Sequence, residues 1–326
     1  MSKLVTIFGG SGFVGRYIAR RMAKEGWRVR VACRRPELAG FVRPYGVVGQ
    51  VEPILCNIRD DASVRAALHS ADAVVNCVGT FDAKGKNNFS AVQTEGAERI
   101  ARLAKAEGIS RMVHISAIGA DAEGESEYAQ SKAGGEAAVL DHQPQAVILR
   151  PSVVFGPEDD FFNRFGKMAR MGPVLPVAGG DTKFQPVYVD DVAQATVKGV
   201  LGQAAPGVYE LGGPEVASFS ELMHEMLRVI RRRRLVLNLP FWVAGLIASV
   251  SGIVSTITGG LVKGPLTSDQ VKQLKVDNVV ADDAKGLADL GITPTSMEAV
   301  LPEYLWAYRP SGQYAAIKES ARNLKV

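Results

Sequence analysis

The chain has 326 residues, 47% hydrophobic and 22% charged, long enough for a main domain plus a smaller one and too apolar for a disordered chain. Its 38 Lys and Arg against 34 Asp and Glu leave a net charge of +4, with one dense basic run, Arg231–Arg234, and no basic groove interleaved with aromatics, which argues against nucleic acid. Cys33, Cys56 and Cys77 lie in apolar runs without C-x-x-C spacing and the four histidines form no H-E-x-x-H pattern, so neither a disulfide scaffold nor a metal site is expected.

The first apolar run, Leu4–Phe8, is too short for a signal peptide and no Arg- and Ser-rich leader precedes it, so the chain is expected to fold in a reducing cytoplasm. Strand-length apolar runs follow at Arg28–Cys33, Val51–Cys56, Ala73–Cys77, Met112–Ile115 and Ala146–Leu149. Helix-period stretches alternate with them at Phe13–Glu25, Ala62–His69, Ala91–Glu107 and Glu127–Asp141. That alternation predicts an α/β fold, a Rossmann-type doubly wound parallel sheet. After Pro151 the rhythm loosens into Gly- and Pro-rich loops with shorter pieces: Gln185–Val189 with Val192–Leu201, and Val208–Leu211 with Phe219–Ile230. The expected division is a dinucleotide-binding domain over 1–155 and a smaller C-terminal α/β region over 156–326, the latter carrying a docking segment at about 231–265.

The turn after the first run reads Gly9-Gly10-Ser11-Gly12-Phe13-Val14-Gly15, a G-x-x-G-x-x-G pattern between a strand and a helix. One glycine allows a tight turn, one admits a pyrophosphate close to backbone, and one lets helix and strand pack closely; the helix N-terminus presents free N–H groups to phosphate. Roughly 20 residues on, where an NAD site usually has an acid, stand Arg34 and Arg35. A carboxylate repels a ribose 2′-phosphate and a guanidinium pairs with it, so NADP(H) is expected over NAD(H), with Arg16 as a further charge. Ligands line the carboxyl edge of such a sheet, which places Asn57 and Ile58 near the adenine and Cys77-Val78-Gly79-Thr80 beneath the ribose.

Tyr128 and Lys132 stand at i and i+4 on one face of a predicted helix. A nearby ammonium is expected to lower the phenol from its usual pKa of about 10 and fit it for proton transfer, with Ser116 holding a substrate oxygen.

The glycine turn, Ser116 and Tyr128-x-x-x-Lys132 resemble the short-chain dehydrogenase/reductase superfamily in its extended or atypical branch, over about residues 1–215. The resemblance implies that Ser116, Tyr128 and Lys132 form a catalytic set where the chain is active, that Tyr128 and Lys132 touch the nicotinamide ribose, and that Pro151, Val154 and Phe155 pass the nicotinamide ring. Two departures stand out: Asn57 replaces a common Asp, and Ser116 to Tyr128 is short for an extended member. The stretches Leu149–Phe165, Lys183–Ala193, Leu266–Val271, Asp277–Val280 and Gly291–Thr295 resemble more specifically the nucleotide-binding accessory subunits of respiratory complex I, alpha subcomplex subunit nine, in a bacterial form. This second resemblance implies a tightly bound NADPH with a structural role, other complex I subunits as partners, and a peripheral place near the quinone site on the cytoplasmic face of the bacterial inner membrane.

Residues Leu235–Val262 carry no charge and follow Arg231–Arg234. Pro240 and several Gly, Ser and Thr dilute the run, so an interfacial segment over about 231–262, with Phe241 and Trp242 at lipid headgroups, is expected ahead of a membrane span; a buried helix pair is the other alternative. Three functional readings stay open: a structural cofactor-holding subunit, a free-standing NADP-dependent reductase or epimerase, and a dinucleotide-binding redox sensor. The long C-terminal segments, which the chemistry does not need, favour the first.

Overall fold

The computed structural model describes residues 2–80, 85, 87–246, 248, 249 and 267–314. Strand β1 (Leu4–Phe8) is buried at every position, the pattern of a strand covered on both faces. Its one hydroxyl, Thr6 Oγ1, donates to Ala67 O at 2.8 Å, so no polar group is stranded there. With β2 (Arg28–Cys33), β3 (Val51–Leu55), β4 (Ala73–Asn76), β5 (Met112–Ile115), β6 (Val147–Pro151) and β11 (Gly207–Leu211) it forms one seven-stranded parallel sheet in the order β11-β6-β5-β4-β1-β2-β3. The doubly wound sheet expected from the alternation is therefore present, with its order reversing between β1 and β4. Cys56 and Cys77 fall just past their strands, although their N–H groups still donate to Cys33 O and Phe8 O.

Helices α2 (Asp61–Leu68), α3 (Glu95–Ala106) and α4 (Glu127–His142) pack together against Phe8, Val74 and Ile148. Helix α1 (Phe13–Lys24) packs on α6 (Val189–Leu201), and Arg21 clasps Asp190 through Nε–Oδ1 at 2.6 Å and Nη2–Oδ2 at 2.5 Å. The helix expected from Ala91 opens instead with a π-turn, Ser90–Thr94. Glycines 134 and 135 of α4 face this turn: a Cβ at Gly134 would lie 3.2 Å from Thr94 Cγ2, and one at Gly135 would collide with Gln93 O. That close approach fixes α4, the helix carrying Tyr128 and Lys132, against the π-turn and α3.

The single division expected at 155 becomes a discontinuous one. One compact unit comprises Met1–Ser152, Val189–Gly212 and Val280–Pro294; the other comprises Val153–Tyr188, Gly213–Val279 and Thr295–Val326. The chain returns to the first unit because β11 completes the sheet beside β6, and the Glu210 backbone N–H and carboxylate bind Lys285 O and Ala281 N. In the second unit β7 (Val154–Phe155) pairs with β10 (Val187–Tyr188), β8 (Val174–Ala178) with β13 (Leu235–Leu239), and β9 (Lys183–Phe184) with β12 (Ala217–Ser218). Helices α5 (Phe162–Met171), α7 (Phe219–Val229) and Met297–Leu305 close that unit over a core in which Phe161 stacks on Phe219 at 5.5 Å. A capping box of Ser218 and Glu221 starts α7.

Of the uncharged run after Arg234, Leu235–Leu239 is strand and 241–246 is helical; residues 247 and 250–266, which include half of that run, lie outside the described residues. Among the described residues no helix is long and apolar enough to cross a membrane.

Candidate functional site

The site grows from the carboxyl ends of β1, β2, β3 and β4, where a doubly wound sheet opens its crevice. Gly9 turns the chain at φ +77°, a conformation that disfavours a side chain. Its N–H donates to Ala32 O at 3.0 Å and its carbonyl accepts from Gly12 N at 2.9 Å. A Cβ at Gly15 would stand 2.6 Å from Gly10 Cα and collide with Gly9 O, so the third glycine is what allows the helix to begin so near the strand. Gly12 caps α1 without any side-chain hydrogen bond, and the first turn holds no acid. By contrast Asp60 caps α2 and Ser126 caps α4. The α1 amides at Phe13 and Val14 are thus left to an anion, which suits a pyrophosphate.

Arg34 and Arg35 leave β2 exposed, and neither guanidinium has an acidic partner among the described residues. Arg16, half-buried, donates Nε to Gly12 O at 3.2 Å. Beneath them the Cys33 thiol is pushed up by burial, against a hydrogen bond from Ser11. Asn57 is exposed; its N–H donates to Ser63 Oγ at 2.9 Å and its Oδ1 accepts from Arg59 N at 3.2 Å. Ile58 packs over Gly96, where a Cβ would meet Ile58 Cδ1 at 2.9 Å. Beyond β4, Val78 N–H donates to Asn76 Oδ1 at 3.1 Å and Thr80 O accepts from Gln93 Nε2 at 2.7 Å, while Gly79 is exposed, with room for a Cβ 3.7 Å from Lys132 Nζ. The Cys77 thiol is pushed up to about 12 by burial, against the Lys132 charge.

Lys132 is 6% exposed; its Nζ donates to Ile115 O at 3.3 Å and lies 5.9 Å from the Tyr128 ring centroid. Ser116, 3% exposed, has a hydroxyl with no hydrogen-bond partner among the described residues. Ser116, Tyr128 and Lys132 are thus gathered about the end of β5. The expected electrostatics are reversed, however. Burial lowers Lys132 to about 8, although Glu136 and then Cys77 draw it upward, and burial raises the Tyr128 phenol well above its ordinary value. Helical spacing reveals the ammonium beside the phenol but not the enclosure that outweighs it.

His114, which the sequence alone did not single out, stands two residues before Ser116 on the same face of β5. Asn76 Oδ1 takes the Val78 N–H, so Asn76 Nδ2 donates to His114 Nδ1 at 3.1 Å; the ring proton then sits on Nε2, a buried atom without a partner among the described residues. Burial holds this imidazole down to about 3. Strand alternation was the signal that could have found it. Polar atoms at Ser116 and His114 and cations at Arg34 and Arg35 that lack partners among the described residues, with the α1 amides uncapped by a side chain, together fit a dinucleotide.

Pro151 ends β6 and accepts from Ile118 N at 3.0 Å. Val154 and Phe155 belong to the second unit, where Phe155 is fully buried edge-on against Phe162 at 6.2 Å, a core position.

A reversing parallel sheet with this glycine turn and Tyr-x-x-x-Lys helix defines a chain of the short-chain dehydrogenase/reductase class. Comparison with known proteins narrows that class. A model of the NAD dependent epimerase/dehydratase family matches residues 5–212. The chain is 34% identical over 316 residues to NADH dehydrogenase (ubiquinone) 1 alpha subcomplex subunit 9, mitochondrial, of Arabidopsis thaliana, covering 95% of this chain and 79% of that one. It is 30% identical over 311 residues to the mitochondrial NADH-ubiquinone oxidoreductase 40 kDa subunit of Neurospora crassa, covering 95% and 80%. The chain therefore belongs to the NAD dependent epimerase/dehydratase family and, within it, to the group of complex I alpha subcomplex subunit 9. The fold is shared with the UDP-glucose 4-epimerase of Thermus thermophilus in complex with NAD, at TM-score 0.69 and 19% identity over 94% of this chain and 99% of that one.

Proposed function

We propose that this chain is an accessory, NADP(H)-holding subunit of respiratory complex I that supports the assembly or stability of the peripheral arm near the quinone site, without turnover of its own. The observation that carries the subunit role is similarity to complex I subunits across 95% of the chain, well beyond the dinucleotide-binding part. Arg34 and Arg35, exposed and without acids, support NADP(H) over NAD(H). A phenol held protonated by burial, beside a lysine lowered to about 8, suits the holding of ribose hydroxyls better than proton transfer. A dinucleotide bound only to the folded state acts as a stabilising ligand, contributing about 2.7 kcal/mol at a hundredfold excess over Kd. The chain takes its place at the cytoplasmic face of a bacterial inner membrane as a peripheral subunit, with lipid contact through residues of the 231–262 region.

Gentle detergent extraction, native separation and mass spectrometry of co-migrating chains test the assembly. Co-migration with complex I subunits is expected; recovery only as a free monomer or homodimer overturns it. Titration of Arg34→Asp with both cofactors tests the nucleotide. NADPH affinity should fall by about tenfold or more while NADH affinity holds or rises, and unchanged NADPH affinity rejects the assignment.

A further inference from the structure

Phe41 sits in a short 3-10 turn, Gly40–Tyr45, a few residues beyond Arg34 and Arg35. Ala39 and Val42 beside it are fully buried, so the turn is anchored while the Phe41 ring stays 41% exposed. Tyr45 meets that ring edge-on at 6.5 Å and helps to fix its plane. The Arg16 guanidinium lies over the ring, 4.7 Å from its centroid, where the negative face of the π system attracts it. Together with the bond from Arg16 Nε to Gly12 O, this holds Arg16 between the glycine turn and the segment leaving β2. Arg34 and Arg35 occupy that same exit from β2. Arg16 at the glycine turn and Arg34 and Arg35 at the exit from β2 put three cations around the start of α1, whose first turn holds no acid, and a cationic rim of this kind favours a multiply charged anion.

We propose that Phe41 is a specificity-determining positioning residue: by stacking Arg16 it pre-forms a three-guanidinium socket for the ribose 2′-phosphate of NADP(H). This rests on the NADP(H) reading above. The ring touches no phosphate itself. It removes the freedom that Arg16 would otherwise lose on binding, which is how pre-organisation raises affinity. NADH lacks the 2′-phosphate, so its affinity is independent of the stack.

Calorimetric titration of NADPH and NADH into the full chain tests this in wild type, Phe41→Leu, Phe41→Tyr, Arg16→Met and the Phe41→Leu/Arg16→Met double variant, with thermal melts confirming folding. Phe41→Leu should weaken NADPH about two- to fivefold and leave NADH unchanged. Phe41→Tyr, which keeps the π face, should restore wild-type values, and Phe41→Leu should add no further loss where Arg16 is already Met. Equal weakening of both cofactors, or the same loss with and without Arg16, overturns the proposal. A wild-type preference for NADPH that Phe41→Leu leaves intact overturns this inference alone. A wild type that binds both cofactors equally overturns the NADP(H) reading and this inference with it.

Discussion

Arg150 grips the Glu136 carboxylate at two points, Nε to Oε1 at 2.9 Å and Nη2 to Oε2 at 2.7 Å. The fork joins β6 to α4, and Glu136 lies one helical turn beyond Lys132. Arg150 shares the carboxylate that draws the lysine toward its charged form, so that pull is partial and burial outweighs it to set Lys132 at about 8. Arg150→Met leaves Glu136, 5% exposed, without its counter-charge. The expected loss is about 2–4 kcal/mol in urea unfolding. The Lys132 pKa should rise from its present value, read by nitrogen-15 NMR of Nζ. An unchanged lysine titration would show that Glu136 does not act on it.

His114 makes the first unit acid-sensitive. Its folded pKa is depressed to about 3 by burial, while the unfolded chain titrates near the ordinary value of 6.5. Below that value the unfolded chain takes up a proton that the folded chain refuses, so stability falls as pH drops from about 6.5 toward 3, by at most about 1.4 kcal/mol per pH unit. Unfolding by urea at pH 7 and pH 5 reads the slope. His114→Gln, which keeps an acceptor for Asn76, should shrink the difference between the two pH values by about 2 kcal/mol. Equal slopes in the two proteins would remove His114 from the account.

Gly15→Ala tests the glycine turn without touching a charge. The new methyl collides with Gly9 O and comes within 2.6 Å of Gly10 Cα, both backbone atoms that cannot swing aside. The turn has to open, at an expected stability loss of about 1–3 kcal/mol, by overpacking. NADPH and NADH should weaken together, because the pyrophosphate is common to both. A loss confined to NADPH would place Gly15 outside the phosphate turn.

The first half of the fold was legible because its determinants are local. Continuous apolar runs such as Leu4–Phe8 read as central strands, and Gly9, Gly12 and Gly15 announce a turn whose reason is steric. Features decided by tertiary contact were not legible. Gly207–Leu211 joins the sheet through pairing with Val147–Pro151, sixty residues away in sequence, which no local pattern encodes. Two-residue strands such as Val154–Phe155 carry no periodicity at all. In the site, residue types were readable and environments were not. Tyr-x-x-x-Lys spacing shows proximity, whereas the direction of the Tyr128 shift depends on burial, which only packing reveals. Phe41 escaped notice because nothing in a short 3-10 turn links it to Arg16, 25 residues earlier.

The basic run before the uncharged segment divides into two pairs, which sharpens the expected lipid contact. Arg232 Nε donates to Tyr308 O at 2.7 Å and Arg234 Nε to Ala169 O at 2.8 Å, so both are half-buried braces of the second unit. Arg231 and Arg233 alternate with them and are exposed. The alternation continues into β13, where Leu235 and Leu237 are 63% and 45% exposed in register with exposed Val174 and Pro176 of β8. Two exposed cations thus precede four exposed apolar side chains of a strand pair, a composition of the kind that settles on anionic headgroups. Deleting 235–262 would remove β13 itself, so charge reversal is the cleaner probe. Arg231→Glu with Arg233→Glu should weaken co-sedimentation with phosphatidylserine vesicles by about fivefold or more per residue and reduce its sensitivity to salt, with the melting temperature held. Arg232→Ala and Arg234→Ala should do the reverse, lowering stability while vesicle binding by the folded protein persists. Vesicle binding indifferent to Arg231 and Arg233 would reassign these residues to a protein neighbour in the assembly.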